Sequence, residues 1–225
     1  MTDNLLSKDG KIRIMMVDDH PIVREGMAQL LNTQPDLDLC CEASTSEEAL
    51  AGMKDCDPAL VIVDISLNKD SGLNLIKALR RRNPALALLV LSLHDESIYA
   101  ERTLRAGANG YLMKDEATRH ILLAVRQVLA GEIYLSDAMH KRLAQKLTEP
   151  VVHAAGHITG VSDREFEILH LLGLGFGTRQ ISEKLNRSIK TIETHRASLK
   201  KKLHLDTSAE LVRFATLWLD DHAPL

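Results

Sequence analysis

Five short apolar segments recur through the first part of the chain, and each is followed by a stretch whose apolar residues have helical spacing. The segments are residues 12–17, 37–43, 60–64, 87–91 and 110–113. Their apolar residues are mostly continuous, which is typical of strands that are buried on both faces. Strand–helix units repeated in this way predict an α/β fold with a five-stranded, parallel, doubly wound sheet.

No strand is predicted after the fifth. One helix is predicted to begin near Ser136, and residues 148–160 have the proline, glycine and small residues of a linker. Ser162 and Glu165 form a capping-box pattern, and only short helices are predicted beyond it. The predicted organisation is an α/β domain at 11–130, a linker with one helix at 131–160, and a small all-α domain at 161–221.

Composition fits a globular protein, since 45% of the 225 residues are hydrophobic and 26% are charged. No apolar run approaches the roughly 18 residues that span a bilayer, and the first ten residues are mixed polar. We therefore expect a cytoplasmic protein with no membrane contact. Cys40, Cys41 and Cys56 follow neither zinc-site spacing nor an even disulfide set, so we expect them to be reduced and mostly buried.

Carboxylates stand at the ends of two predicted strands, with Asp18 and Asp19 after the first and Asp64 after the third. Adjacent acids repel each other and hold water, so they do not stabilise the tip of a buried strand. If the strand order is 2-1-3-4-5, the three carboxylates meet in a cleft beyond the carboxyl ends of the strands. Such an oxygen-rich site suits Mg²⁺.

Asp64 is the central candidate for phosphate chemistry. A carboxylate can attack phosphorus and form an acyl phosphate when nearby cations neutralise the transferring oxygens. Ser92 ends the fourth strand and offers a hydroxyl to a phosphoryl oxygen, and Lys114 follows the fifth strand with a positive charge. Taken singly, each residue has an ordinary explanation as a cap, a turn or a surface charge. Their joint placement at four strand ends favours a phosphate site.

The motifs VDDHP, VIVDISL, VLSLHD and AGANGYLMKD, in this order and spacing, resemble the receiver domain of two-component response regulators over about residues 11 to 130. The resemblance implies a flavodoxin-like fold in which Asp64 accepts phosphate from a sensor histidine kinase. It also implies that Asp19, Asp64 and the main-chain carbonyl of Ser66 hold Mg²⁺, with Asp18 acting partly through water.

Two further positions follow from the same resemblance. Tyr111 matches an aromatic switch that reorients as Ser92 moves toward the phosphate, and the alternative is an ordinary half-buried strand tyrosine. Asn68 stands where the family commonly has proline, so we expect a changed turn and leave the lifetime of the phosphorylated state open.

Positive charge is concentrated between residues 187 and 204, where six Lys or Arg stand against one acid. Helices are predicted at 163–174, 178–185 and 189–204, and the short break between the last two predicts a helix-turn-helix. On the third helix a core stripe faces away from a stripe of small and cationic residues, which suits a DNA major groove. The small and cationic residues are Lys190, Thr194, Ala197 and Lys201. The alternative is a solvated basic face on an ordinary packing helix.

The segment SDREFEILHLLGLGFGTRQISEKLNRSIKTIETHRASLKKKL resembles the LuxR-type helix-turn-helix of NarL/FixJ regulators, covering about residues 160 to 220. The resemblance implies base-facing positions at Glu193, Thr194 and Ala197, although Glu193 could equally be an exposed acid paired with a lysine. It implies contacts to the DNA backbone from Thr178, Lys200, Lys201 and Lys202. The family uses the last helix for dimerisation, for which the candidates are Leu211, Ala215 and Trp218.

Together these features predict a transcription regulator, and not an enzyme, that is gated by phosphorylation. The predicted partners are a sensor histidine kinase, double-stranded DNA, a second copy of the chain when phosphorylated, and RNA polymerase as a further candidate. The resemblance also implies that phosphorylation releases the basic domain from a masking contact. Two alternatives stay open at this point: a phosphohydrolase that turns over through Asp64, and a DNA-binding module that is always active.

Overall fold

The structure is a computed structural model of the chain. It describes residues 10–67, 71–148 and 160–220. The chain divides into two compact units, Met1–Leu147 and Thr148–Leu225. The predicted turn at Asn68 and residues 149–159 of the predicted linker lie outside the described residues, so the domain boundaries stay a prediction. Over the part that the structure describes, no helix is both long enough and apolar enough to cross a membrane.

The first unit contains one parallel sheet with the strand order β2-β1-β3-β4-β5. The strands are β1 (Ile12–Val17), β2 (Leu37–Ala43), β3 (Leu60–Val63), β4 (Ala87–Ser92) and β5 (Gly110–Met113). The helices are α1 (Pro21–Asn32), α2 (Ser46–Cys56), α3 (Gly72–Arg82), α4 (Glu96–Ala106), α5 (Ala117–Leu129) and α6 (Asp137–Thr148). The predicted fold class and strand order are therefore confirmed.

Burial and capping explain why these segments fold as they do. Every residue of β3 and β4 is buried, which is why their sequences show continuous apolar runs and no alternation. Side-chain caps begin several of the helices; for example, Thr45 accepts a hydrogen bond from Glu48 N, and Asp95 accepts one from Ser97 N. Gly107 ends α4 with a φ of 113°, a conformation that favours glycine.

The chain that follows α5 returns to the free edge of β5, which the sequence did not predict. Tyr111 N donates to Tyr134 O at 2.9 Å, and Tyr134 N donates to Asn109 O at 3.0 Å. Just before α6, Ser136 N donates to the buried carboxylate of Glu96 at 2.8 Å. The segment before α6 is thus attached both to the edge of the sheet and to the first turn of α4.

The cysteines do not all match expectation. The structure joins Cys41 of β2 to Cys56 at the end of α2 by a disulfide, with 6.2 Å between the Cα atoms, and Cys40 is free. The expectation that all three are reduced is therefore wrong for this pair. The packing of α2 beside β2 brings the two residues together although 15 positions separate them in sequence.

The second unit is helical over its described residues, and the predicted capping box is present. Its helices are α7 (Asp163–Gly173), α8 (Thr178–Lys184), α9 (Ile189–Lys202) and α10 (Ser208–Asp220). At the start of α7, Ser162 Oγ accepts from Glu165 N, and the Glu165 carboxylate accepts from Ser162 N at 2.7 Å. Gly173 lets α7 and α10 approach closely, since a Cβ there would lie 2.6 Å from Ala215 O.

Candidate functional site

The acidic residues predicted from strands one and three converge beyond the carboxyl ends of the strands. Asp18 and Asp19 follow β1, and Asp64 follows the adjacent β3 with its N–H donating to Val17 O at 2.8 Å. Asp18 and Asp64 are buried. One carboxylate oxygen from each of the three aspartates and a ring nitrogen of His20 lie within 4.8 Å of one another. The three carboxylates form an acidic cluster whose repulsion requires a cation.

Lys114 supplies one such cation. Its Nζ lies 2.6 Å from Asp18 Oδ2 and 2.7 Å from Asp64 Oδ2, and its side chain is almost fully buried. Burial by itself would lower the pKa of Lys114, but the adjacent carboxylates of Asp64 and Asp18 outweigh that effect and raise it. Lys114 is therefore a fixed ammonium ion that bridges two strand ends. The structure brings this predicted residue into direct contact with the predicted phosphoacceptor.

His20 contacts the acidic cluster, and the sequence did not predict this contact. Its Nδ1 lies 2.8 Å from Asp19 Oδ1 and 3.1 Å from Asp18 Oδ1, and its own main-chain N–H donates to Asp18 Oδ1 at 2.9 Å. About half of its side chain is exposed at the mouth of the site. The available signal was its place between the two acids and Pro21, which begins α1.

The loops after β3 and β4 are joined through a second histidine. Ser66 N donates to Asp64 Oδ1 at 3.0 Å, which fixes the orientation of that carboxylate. The Ser66 hydroxyl lies 2.7 Å from His94 Nε2, and the His94 ring stacks on Tyr99 of α4 with 4.5 Å between centroids. His94 was not predicted, because a histidine in a loop carries no sequence signal of its own.

Ser92 and Tyr111 both contact the main chain of His94. Ser92 Oγ accepts from His94 N at 3.1 Å, and Tyr111 OH donates to His94 O at 2.8 Å. Both side chains are fully buried, so the alternative of a half-buried strand tyrosine does not describe Tyr111. Burial also raises the pKa of Tyr111, which keeps its hydroxyl neutral and able to donate.

Gly72 allows α3 to approach the loop that carries Asp64. A Cβ at this position would lie 2.1 Å from Asp64 O and 2.6 Å from Ile65 Cα, and both are backbone atoms that cannot simply rotate away. We expect Gly72→Ala to displace Asp64 and to slow its phosphorylation, on the order of 10²-fold, since a shift of about 1 Å in a reacting group can cost that much. The rate with a small-molecule phosphodonor measures this effect.

The matched control for this substitution is Gly26→Ala in α1, where an added Cβ meets no atom within 4 Å. Alanine is also the better helix former, so the control should phosphorylate normally and be no less stable than wild type. A wild-type rate in Gly72→Ala would contradict the proposed close approach.

In the second unit, α8 and α9 form a helix-turn-helix. Asn186 takes a left-handed conformation in the turn, with a φ of 47°, and Ser188 begins α9 by accepting a hydrogen bond from Thr191 N. Ile192 and Leu199 are fully buried, so α9 packs through the stripe that its periodicity predicts.

The opposite side of α9 is exposed. Its exposed side chains include five of the predicted DNA-contacting residues: Lys190, Glu193, Thr194, Ala197 and Lys201. The other three are placed differently. Lys200 is half-buried, and Thr178 Oγ1 accepts a hydrogen bond from Arg196. Lys202 Nζ donates to the buried Glu165 carboxylate at 2.6 Å, so its ammonium has a structural partner that the sequence did not reveal.

The predicted dimer contacts on α10 need correction. Leu211, Ala215 and Trp218 are buried within the second unit, with the Trp218 ring packed edge-on against Phe166 of α7 at 5.2 Å. Their side chains form the core and are not available to a second copy of the chain. The exposed large apolar side chains of α10 are Val212 and Leu217.

The fold and the site define a class of protein: a receiver-type phosphoacceptor unit followed by a helix-turn-helix unit. Comparisons with known families agree. Residues 14–126 match the family described as response regulator receiver domain, and residues 160–215 match bacterial regulatory proteins of the luxR family. The chain belongs to the LuxR family of two-component response regulators, the NarL/FixJ class.

Similar proteins cover nearly the whole chain. The oxygen regulatory protein NreC of Staphylococcus epidermidis is 32% identical over 210 residues, which span 91% of this chain and 96% of NreC. The RcsB response regulator of Salmonella typhimurium is 25% identical with a TM-score of 0.62, covering 93% of this chain and 98% of RcsB. An RcsB structure bound to promoter rprA in the presence of phosphomimetic BeF3⁻ is 25% identical with a TM-score of 0.58, covering 92% and 98%.

Proposed function

We propose that this protein is a phosphorylation-dependent transcription regulator, phosphorylated on Asp64 by a sensor histidine kinase and binding operator DNA through α9. The observation that carries the proposal is the contact of one buried ammonium, Lys114, with both Asp18 and Asp64 at the carboxyl edge of the sheet. A nucleophilic carboxylate beside a fixed cation is what phosphoryl transfer to aspartate requires. Because bacterial promoter DNA lies in the cytoplasm, we place the protein there.

The acidic cluster fits a Mg²⁺ ion. The donor atoms of Asp18, Asp19 and Asp64 are close enough to share one ion, and carboxylate oxygens are the ligands that Mg²⁺ takes. We assign its ligands to these residues and to the main-chain carbonyl of Ser66, with Asp18 acting partly through water. When bound, the ion neutralises the oxygens of the transferring phosphoryl group and the charge of the cluster.

The protein's own residues then have distinct roles in the transfer. An oxygen of Asp64 attacks phosphorus while the bond from phosphorus to the imidazole nitrogen of the kinase breaks, which leaves an acyl phosphate on Asp64. Lys114 neutralises a phosphoryl oxygen during this step. The Ser92 hydroxyl, whose oxygen accepts from His94 N, donates its hydrogen to a phosphoryl oxygen, and Tyr111, which holds the same loop through His94 O, reorients with it.

DNA recognition is assigned to the exposed side of α9. Small side chains at Thr194 and Ala197 permit close approach to base edges, and Glu193 can accept a hydrogen bond from cytosine N4. Contacts to the DNA backbone are assigned to Lys190, Lys201, Lys200 and Thr178. Phosphorylation favours a homodimer on an inverted repeat, and RNA polymerase is a further candidate partner. The RcsB structure on promoter rprA with a phosphomimetic supports the coupling of phosphorylation to DNA binding, and a structure of RcsB dimers bound to DNA supports the dimer.

The test uses the purified full-length chain with acetyl phosphate. We expect one phosphoryl group per chain, dependent on Mg²⁺ and located on Asp64, together with a rise in affinity for DNA fragments from upstream of neighbouring operons. Sustained release of inorganic phosphate over many turnovers would instead favour the phosphohydrolase. DNA affinity that is indifferent to Mg²⁺ and phosphodonor would favour a module that is always active.

DNA affinity should fall steeply with salt, because lysine contacts to phosphate release counterions. We expect Lys190→Ala and Lys201→Ala each to reduce the slope of log affinity against log salt concentration by about 1. Lys54→Ala, at the end of α2 in the first unit, is the control and should leave the slope unchanged. An unchanged slope in both α9 variants would remove this helix from the proposed interface.

A further inference from the structure

The three cysteines of the chain meet between β2 and α2. The sulfur atoms of Cys40, Cys41 and Cys56 all lie within 4.8 Å of one another. The Cα atoms of the disulfide pair Cys41 and Cys56 are 6.2 Å apart, within the range of about 4.4–6.8 Å that disulfides need without backbone movement. Nothing in the phosphorylation chemistry or in DNA recognition uses these thiols.

An irregularity in β2 brings the three sulfur atoms together. Ile14 of β1 pairs with Leu39, but the next residue, Met15, pairs with Cys41, so Cys40 is an extra residue in β2. Such a bulge places two successive residues opposite one and resets the alternation of side chains. In a regular strand the adjacent cysteines would point to opposite faces of the sheet. The bulge instead presents both of them to the last residue of α2.

The residues on either side of the bulge support this placement. Leu39 packs in the core cluster that lines the opposite face, with residues of α1 and α5. Glu42 reaches the same side, where its carboxylate accepts a hydrogen bond from Arg24 of α1 at 3.0 Å. Leu39 and Glu42 are three positions apart, and only a change of alternation between them lets them share a face.

The position of Cys56 is fixed independently of its sulfur. The Arg13 guanidinium of β1 donates to Asp55 O at 3.2 Å, and Asp57 N closes the end of α2 by donating to Met53 O at 3.0 Å. The main chain around Cys56 is therefore held to β1 and within its own helix. Little main-chain movement is needed for its sulfur to bond with that of Cys41 or to separate from it.

We propose that Cys41 and Cys56 form a reversible dithiol–disulfide pair, a second covalent modification site in the receiver unit that responds to low-molecular-weight disulfides. Disulfides in the cytoplasm are usually transient or redox-sensing, so the cytoplasmic location in the proposed function favours reversibility. Exposure sets the order of reaction. Cys41 is half-buried and reachable, whereas Cys56 is only 4% exposed and is shielded from direct attack.

The exchange balances with a disulfide such as glutathione disulfide as the oxidant. The Cys41 thiolate attacks one sulfur of the donor, forms a mixed disulfide and displaces one thiolate. The Cys56 thiolate then attacks Cys41 Sγ and displaces the second thiolate, which leaves the Cys41–Cys56 bond. Two protein thiols are oxidised and one donor disulfide is reduced to two thiols, which carry away the two protons. Excess glutathione reverses both steps.

The test equilibrates the full-length chain in glutathione buffers of varied ratio, alkylates the remaining thiols with N-ethylmaleimide, and maps the peptides by mass spectrometry. We expect three alkylated cysteines at the reducing end. At the oxidising end we expect alkylated Cys40 and a crosslink between Cys41 and Cys56, with a Tm for the first unit raised by roughly 10 °C, as closure of a loop of about 15 residues implies. Acetyl phosphate should label Asp64 in either state, which shows that the unit is folded independently of the pair.

Cys40→Ser is the matched control, because it removes the neighbouring thiol and should retain the pair with an unchanged midpoint. Cys41→Ser and Cys56→Ser should each fail to form the crosslink between residues 41 and 56. The proposal is overturned if Cys56 pairs with Cys40 in the wild type, if the folded chain stays reduced in pure glutathione disulfide, or if excess glutathione reverses the bond only after denaturation. One zinc ion retained per chain, with all three thiols unreactive, would also overturn it and make the cluster a metal site.

Discussion

Replacing Asp64 with Asn will abolish phosphate uptake and the whole of the phosphodonor-stimulated rise in DNA affinity. The amide of Asn is similar in size and still fits the buried position, but it has no nucleophilic oxygen to attack phosphorus. It also removes one of the two carboxylates that Lys114 bridges. Intact-protein mass spectrometry after acetyl phosphate treatment, followed by DNA titration with and without the donor, measures both effects.

The matched control is Asp38→Asn, a carboxylate near the beginning of β2 and thus at the opposite end of the sheet from the acidic cluster. It should take up phosphate and respond to the donor like wild type. Full operator affinity on acetyl phosphate treatment in the Asp64→Asn chain would refute the proposed function. Basal DNA binding in that variant is expected to equal that of unphosphorylated wild type, because the change lies outside the second unit.

The second large effect is expected at Glu165, which stabilises the DNA-binding unit from within. Its buried carboxylate accepts from Ser162 N at 2.7 Å, from Ser198 Oγ at 2.6 Å and from Lys202 Nζ at 2.6 Å. Burial alone would raise the pKa of Glu165, but these donors outweigh it and lower the pKa to about 2. Glu165→Gln, which cannot hold the charge, should destabilise the unit by about 3 kcal/mol.

The sign of the pH dependence follows from that lowered pKa. Because the pKa in the folded state is below the ordinary value of 4.5, the stabilisation is complete above pH 4.5 and is lost as the pH falls from there towards about 2. The Glu165→Gln variant should not show this loss of stabilisation between pH 4.5 and about 2. Fluorescence of Trp218 during urea unfolding measures the free energy of unfolding of this unit at each pH. Trp218 is the chain's one tryptophan, and it packs against Phe166 in the same unit.

Glu183→Gln provides the control for this experiment. Glu183 forms an exposed pair with Arg179 one turn away in α8, and such pairs contribute only about 0.3–0.5 kcal/mol. The free energy of unfolding of Glu183→Gln should therefore equal that of wild type at every pH. If Glu165→Gln behaves like Glu183→Gln, the buried network does not stabilise the unit as proposed.

The sequence was sufficient to predict the sheet and the acidic cluster because both depend on regular spacing. Strands buried on two faces leave continuous apolar runs, and parallel strands bring all their carboxyl ends to one edge, where Asp18, Asp64 and Lys114 were expected and are found together. The five strands and the helices α7, α8 and α9 end within two residues of their predicted ends.

Helical periodicity could not decide between core and interface on α10. An apolar stripe has the same spacing whether it packs inside its own unit or against a second copy, so Leu211, Ala215 and Trp218 were assigned to the wrong surface. It could not identify the partner of Lys202 either. Glu165 lies 37 residues earlier, and nothing in the spacing of α9 distinguishes this lysine from its neighbours.

Local irregularities were also beyond the sequence. A bulge at Cys40 leaves no mark in the residues themselves, and adjacent cysteines in a strand are expected on opposite faces. The position of His94 between Ser66, Ser92 and Tyr111 depends on how two loops meet, and loops have no periodicity from which such contacts can be inferred.

The attachment of the chain beyond α5 has a mechanical consequence. Because the carboxylate of Glu96 holds Ser136 N, and because Tyr134 occupies the outer edge of β5, a rotation of α4 that begins at the phosphorylated loop would pull directly on the start of α6. The movement of α4 would thus be transmitted along the β5 edge of the sheet and not through its core. The same attachment covers the edge of β5, so this edge is not available for strand pairing with another molecule.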